Sequence, residues 1–202
     1  MPMFNLTSLR LCQLCDTSPR SKAGVCLDCW RSLPWFKQEV LRQEMQIWAA
    51  CQYDYPLDRI IQQFKYQQQL HYQTLLSGIL AELKYVGVQA IVPMPLSVPK
   101  LAERGFNQSV LIAQSLSHKL KAPIWQPVLR HAEHSQKGLT RQERLINIDS
   151  QFYLAPQQSL RFKRVLIVDD VVTTGSSIRA LADQLEQLGC THIRAACLAV
   201  AK

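Results

Sequence analysis

The sequence predicts an α/β fold: a parallel sheet flanked by helices, preceded by a small cysteine-rich module. Three observations point there. RVLIVDD (164–170), a helical stripe of Ile178, Leu181, Ala182, Leu185 and Leu188 closed by Gly189, and IRAACLAVA (193–201) follow one another as strand, helix and strand. That order calls for parallel pairing. AIVPMPLS (90–97) is a second apolar strand that runs into a Pro-flanked loop, and a helical pattern follows from about Asn107 to Leu120. Four cysteines lie within the first 30 residues as C-x2-C-x10-C-x2-C.

Composition agrees with this class. The 202 residues are 48% hydrophobic and 19% charged, which is too apolar for a disordered chain. No run approaches the roughly 20 apolar residues of a membrane-spanning helix. Lys+Arg minus Asp+Glu is 23 − 15 = +8, a balance that favours phosphate-rich partners such as nucleotides, pyrophosphate or nucleic acid.

The N-terminus, MPMFNLTSLRLCQLC, shows no basic stretch leading into an apolar run and no small-residue cleavage site. A cytoplasmic protein is therefore expected. In a reducing compartment, clustered thiols serve as metal ligands or redox groups rather than structural disulfides. Cys12 and Cys15 form one pair, Cys26 and Cys29 the other. Two residues between thiols let both sulfurs of a turn face one ion, and two such turns complete a tetrahedral S4 zinc site. A redox centre needs one such pair, not two. With no His and no open position, the zinc is expected to be structural. Cys51, Cys190 and Cys197 sit among apolar residues and read as core.

The remaining elements follow in order. Residues 1–35 form the zinc-binding module and 36–202 the main domain. After a polar stretch, IWAACQY (47–53) reads as a strand. Leu57, Ile60, Ile61 and Phe64, then Leu75, Leu76, Ile79, Leu80 and Leu83, mark two amphipathic helices with a break near Gln67–His71. Residues 124–129 suggest a further strand. Residues 130–147 hold three arginines, one lysine and two histidines, and read as a basic surface loop or lid.

The chemistry concentrates in VLIVDDVVTTGSS. A loop leaving the carboxyl end of a parallel strand lies where open α/β sheets bind ligands. Thr173, Thr174, Gly175, Ser176 and Ser177 are small, hydroxyl-rich and lead into a helix N-terminus, so backbone N–H groups and hydroxyls are available to a phosphate. Asp169 and Asp170 would repel that phosphate, so they make sense aimed at hydroxyls or a cation. The pattern describes a ribose 5-phosphate. A phosphorylation-receiver domain also opens with VLIVDD, but it needs on the order of a hundred residues after its first strand, and here 202 − 170 = 32 remain. A P-loop reading fails because no GxxxxGK[ST] occurs.

VLIVDDVVTTGSS resembles the phosphoribosyl-pyrophosphate (PRPP) signature of type I phosphoribosyltransferases. The four-cysteine module, FKYQ (64–67), VPMPLS (92–97), RGFNQS (104–109), and Gln136, Leu139, Arg144 and Asn147 ahead of Phe152 together resemble the ComF/GntX family of competence-associated proteins. The resemblance implies a type I phosphoribosyltransferase-like fold. It implies that Asp169 and Asp170 contact the ribose hydroxyls and help place a Mg²⁺-bound pyrophosphate, and that Thr173 to Ser177 hold the 5-phosphate. Pro93, Met94, Pro95 and Leu96 would form the pyrophosphate loop. Lys100 and Arg104 would neutralise its charge, or else stand on a solvated helix face. Asn107 and Gln108 would contact ligand or cap a helix. Residues 130–147 would be a hood, with Arg144 reaching in.

The implied reaction displaces pyrophosphate from C1 of the ribose through an oxocarbenium-like state. The alternative is a non-catalytic factor of DNA uptake that binds single strands and uses the fold as scaffold or PRPP sensor. Trp30, Trp35 and Phe36 would then stack on bases, or would simply pack the zinc module onto the main domain.

Overall fold

In the computed structural model, residues 10–131, 151–156 and 162–201 are described. The segment 132–150, which contains Arg144 and most of the expected hood, lies outside them.

Helix α1 (Leu27–Arg31) closes the cysteine module. The sheet then begins with β1 (Trp35–Arg42) and β2 (Met45–Gln52). Next come α2 (Leu57–Tyr66), a 3-10 turn at Leu70–Tyr72, α3 (Gln73–Leu80) and β3 (Ala90–Pro93). Helices α4 (Val98–Arg104) and α5 (Gln108–Leu120) and the short strands β4 (Val128–Arg130) and β5 (Phe152–Leu154) follow. The chain ends with β6 (Arg164–Val172), α6 (Ser176–Gln187) and β7 (His192–Val200).

The main sheet has the order β1-β2-β7-β6-β3. Strands β2, β7, β6 and β3 are parallel, and β1 adds an antiparallel edge. Both faces of the parallel strands are covered, which explains why β6 and β7 read as unbroken apolar runs. Leu166 and Val168 of β6 face a core shared with Ile60, Phe64, Leu76, Ile79, Ile112 and Leu116 of α2, α3 and α5. Val165 and Ile167 face the other way, toward Ile178, Leu181 and Leu185 of α6. Alternation along one strand thus feeds two helical layers.

Helices expected from apolar spacing are present, and the break between α2 and α3 falls at the 3-10 turn. Three features differ from expectation. The polar stretch before β2 is β1, whose residues are half-buried or exposed because it lies at the edge. It is joined to β2 by Gln43 and Glu44, both at left-handed φ (46° and 60°). A two-residue hairpin turn of that kind normally advertises itself by Asn-Gly or Asp-Gly, which this one lacks. Residues 98–104 form α4, which buries none of its residues and so carries no apolar stripe. The expected strand at 124–129 is reduced to a bridge from Ile124 to Ile91 and the hairpin β4–β5.

The cysteine module shares the first core. Cys12, Val25, Cys26, Trp30 and Leu33 are buried in the same cluster as α2 and α3. Its docking is tight at Gly78 of α3, where a Cβ would meet the Cβ of Ala23 at 2.6 Å. Trp30 stacks at 5.0 Å on Trp35, whose Nε1 donates to Trp30 O at 2.9 Å. Trp30 is therefore packing, the plainer of its two readings.

Candidate active site

Parallel pairing sets the site. Pro93, the last residue of β3, lies beside Val168 of β6, so both strands deliver their carboxyl ends to one edge. Met94 N donates to Val168 O at 2.8 Å, which holds the start of the 93–96 loop against the base of the acidic pair. Asn107 does two jobs at once. Its Oδ1 accepts from Ser109 N (2.9 Å) and Val110 N (3.4 Å) as the cap of α5, and its Nδ2 donates to Met94 O at 3.0 Å.

Strand β6 continues past the acids to Val172, so Asp169 and Asp170 lie within the strand and not at its end. Asp170 is buried, with 4% of its surface exposed. Its Oδ1 accepts from Val171 N at 2.8 Å, and its Oδ2 forms an ion pair with Lys65 Nζ from α2. Asp169 Oδ1 accepts from Asp170 N (2.9 Å) and from the Ser109 hydroxyl (3.4 Å). Burial pushes the Asp169 carboxyl up to about 6, against the opposing pull of Lys65, Ser109 and Arg130. Burial likewise brings Lys65 down to about 8; the charge of Asp169 resists this, while Arg104 and Lys100 add to it. The contact is with Asp170, and the field of the ammonium extends to Asp169.

Lys100 and Arg104 are four residues apart on α4, and they alone of that helix are half-buried. Arg104 Nη1 donates to Gln108 Oε1 at 2.5 Å, and its guanidinium lies 5.1 Å from the ring centroid of Tyr66. Both cations are half-buried, and their charge is felt at Lys65.

The hydroxyl loop is Thr173–Gly175; Ser176 and Ser177 already belong to the first turn of α6. Thr174 and Ser176 share a hydroxyl–hydroxyl bond of 2.9 Å. Gly175 has φ +80°, and a Cβ there would meet Arg42 Cβ at 2.6 Å. Arg42 ends β1 and donates from Nε to Thr173 O at 3.2 Å. The hairpin β1–β2 therefore packs directly on this loop. A cavity of about 290 Å³ lined by Val86, Arg164, His192 and Arg194 opens at the opposite, amino end of the strands. It lies far from the acids, and ligands of open parallel sheets bind at the carboxyl ends.

A family model described as "Phosphoribosyl transferase domain" matches residues 107–202. Competence protein F of Haemophilus influenzae is 30% identical over 205 residues, covering 94% of this chain and 84% of that protein. The chain belongs to the ComF family. DNA utilization protein YhgH of Salmonella typhimurium is 29% identical, covering 98% of this chain and 93% of its own length. Glutamine PRPP amidotransferase from B. subtilis superposes on this ComF-family chain with a TM-score of 0.44 at 15% identity, over 62% of this chain and 25% of that one.

This ComF-family protein also brings its four cysteines together. The Sγ atoms of Cys12, Cys15, Cys26 and Cys29 all lie within 4.8 Å of one another, with Cys15 and Cys26 at 3.9 Å. A tetrahedral S4 ion with bonds of ~2.3 Å would set its sulfurs about 3.8 Å apart. Cys26 caps α1, where its Sγ accepts from Cys29 N at 3.5 Å, and Cys12 Sγ accepts from Leu14 N at 3.4 Å. The Thr17 hydroxyl and neighbouring backbone donors bring the Cys15 thiol down to about 6, while burial and the other three thiols push Cys29 up. Four cysteine sulfurs this close could hold one metal ion, and a soft-ligand set of this shape suits zinc.

The structure brings Asp169, Asp170 and the start of the 93–96 loop together at the carboxyl ends of β3 and β6, and adds contacts from Lys65 and Ser109 to the acids and from Arg42 to the 173–175 loop that the sequence reading does not include. Lys65 stands inside FKYQ, one of the segments that carry the family resemblance, next to the core residue Phe64, and a charged side chain so close to a helix's buried stripe is its other signal.

Proposed function

We propose that this protein is a PRPP-binding phosphoribosyltransferase-like protein of the ComF type that acts in DNA uptake or utilisation. In its catalytic form, it transfers ribose 5-phosphate from PRPP with release of pyrophosphate. The observation that carries this reading is the juxtaposition at one sheet edge of an acidic pair (Asp170 buried, Asp169 half-buried), a hydroxyl loop at a helix start, and three cations from α2 and α4. One anionic end, one diol and one second anionic end are the features of PRPP that such a set recognises.

In this reading, Thr173, Thr174 and the amides of Gly175, Ser176 and Ser177 bind the 5-phosphate. Asp169 and Asp170 accept from the ribose hydroxyls and stabilise positive charge that develops on the ribose. Pro93 to Leu96 with Lys100 and Arg104 hold the pyrophosphate and stabilise it as it leaves. Mg²⁺, when bound with PRPP, neutralises part of the pyrophosphate charge, and the hard oxygen donors here suit it. Residues 1–35 form a structural zinc module held by Cys12, Cys15, Cys26 and Cys29, and 36–202 form the phosphoribosyltransferase-like domain. No helix among the described residues is long and apolar enough to cross a membrane. Separately, the clustered free thiols, which suit a reducing compartment, favour a cytoplasmic location.

The second reading is a non-catalytic, single-stranded-DNA-binding factor. The net charge of +8 and the relatives named for competence and DNA utilisation favour it. A calorimetric titration with PRPP and Mg²⁺, followed by a screen for pyrophosphate release with candidate acceptors, separates the two. PRPP binding with turnover supports the enzyme. PRPP binding without turnover, together with single-strand affinity that falls steeply with salt, supports the sensor. No PRPP binding refutes both uses of the site.

A further inference from the structure

We propose that Lys65 is the resident counter-ion of the Asp169–Asp170 pair and keeps free divalent cations off these carboxylates, so that a metal enters the site only when already bound to a pyrophosphate. The ligand in this proposal rests on the function proposed above; the charge argument does not.

Two adjacent carboxylates with water access attract a divalent cation. Here one of them is already paired. The Lys65 side chain is 17% exposed and that of Asp170 is 6% exposed, so the pair is screened by solvent far less than a surface ion pair. Lys100 and Arg104 add further positive charge felt at the Lys65 ammonium, and Arg130 adds more at Asp169. A bare divalent ion arriving here meets these cations and must also displace Lys65. A metal bound to a pyrophosphate arrives with net negative charge, which the same cations attract. Charge alone thus discriminates the complex from the free ion.

The two oxygens of Asp170 have different partners, and Oδ2 meets the Lys65 ammonium. Asp170 Oδ1 is held by Val171 N, so the carboxylate stays in place while Lys65 shifts. Lys65 is therefore a positioning residue. It holds the acids ready for a diol and turns away a competitor for them.

The test is Mn²⁺ binding, read by electron paramagnetic resonance on the zinc-loaded full chain without PRPP. Wild type and Lys65→Arg are expected to bind no Mn²⁺ at the acidic pair. Lys65→Met is expected to bind Mn²⁺ there at least about tenfold more tightly than the weakest binding the assay can detect, the low end for removing a unit charge from a partly buried site. Lys65→Met/Asp170→Asn is expected to lose that gain while restoring a neutral, foldable pair. A folded Lys65→Met with no gain overturns the proposal. Should Lys65→Met fail to fold, wild type decides: Mn²⁺ binding that Asp169→Asn/Asp170→Asn abolishes overturns it, and the lack of such binding supports it. A separate PRPP–Mg²⁺ titration of wild type keeps the two claims apart. A wild type that ignores PRPP defeats the proposed function and leaves the charge result standing. One that takes PRPP while Lys65→Met gains no Mn²⁺ defeats the counter-ion role alone.

Discussion

Replacing Gly175 with alanine tests whether the β1–β2 hairpin is seated on the hydroxyl loop. Two costs combine. At φ +80° a side chain is strained, worth about 1 kcal/mol at the low end for the left-handed region. The new Cβ would also lie 2.6 Å from Arg42 Cβ, with Arg42 C and O at 3.5 Å. The obstacle is the root of a side chain and its backbone, not a flexible tip, so overpacking adds about 1–2 kcal/mol. A total of about 2–3 kcal/mol lowers the melting temperature of a chain this size by roughly 5–10 °C. The assay is thermal denaturation of Gly175→Ala, Arg42→Gly and the double variant. Arg42→Gly removes the obstructing Cβ, so the double variant should recover the packing part and keep only the φ cost. That is a coupling of about 1–2 kcal/mol. A melting change below about 1 °C for Gly175→Ala, or strict additivity in the cycle, would refute the hairpin contact.

Other perturbations follow from the same geometry. Gly78→Ala should destabilise the chain by about 1–2 kcal/mol despite alanine's better helix propensity. Ala23→Gly should rescue it, because the Cβ at position 78 would meet Ala23 Cβ at 2.6 Å; a stabilised Gly78→Ala in a melt would show that the cysteine module does not dock there. Elemental analysis should find one zinc per chain, and Cys15→Ser or a chelator should expose residues 10–33 to protease; a metal-free protein of unchanged protease resistance would contradict the S4 site. Asp169 should titrate near 6 by carbon NMR of its carboxyl. Its folded pKa lies above the ~3.9 of an unfolded aspartate, so its stabilising contribution is full below about pH 4 and is lost as pH rises to 6. Affinity for PRPP–Mg²⁺ should fall by up to about tenfold per pH unit below that midpoint as Asp169 protonates. A midpoint near 4 would mean that burial does not dominate there.

Much of this architecture was legible because burial on both sides leaves continuous apolar runs. β6 and β7 could hardly be read otherwise, and the helical stripes of α2, α3 and α6 follow the core they face. β1 was not legible because an edge strand keeps polar residues, and its Gln43-Glu44 turn uses side chains that do not announce left-handed φ. α4 could be read only as a possible solvated helix face at Lys100 and Arg104, because Val98 and Leu101 are exposed and no stripe exists. Ser97, Pro99 and Gly105 at its ends were the available signals. In the site, the acidic pair and the hydroxyl loop are contiguous in sequence and could be read together. Lys65 and Arg42 come from elements 105 and 131 residues earlier than Asp170 and Thr173, as their contacts record. Their roles exist only after the strands are paired, and no local pattern encodes them.

The central claim is that a phosphorylated sugar docks where Asp169 and Asp170 meet the loop that opens α6. A crystal structure of the zinc-loaded chain with PRPP and Mg²⁺ measures this directly. The 5-phosphate is expected on the amides and hydroxyls of Thr173 to Ser177, with the ribose hydroxyls at the acidic pair and the pyrophosphate toward Lys100 and Arg104. Density for the sugar at another place, such as the cleft beside Arg164 and Arg194, with the acidic pair still closed on Lys65, would contradict it.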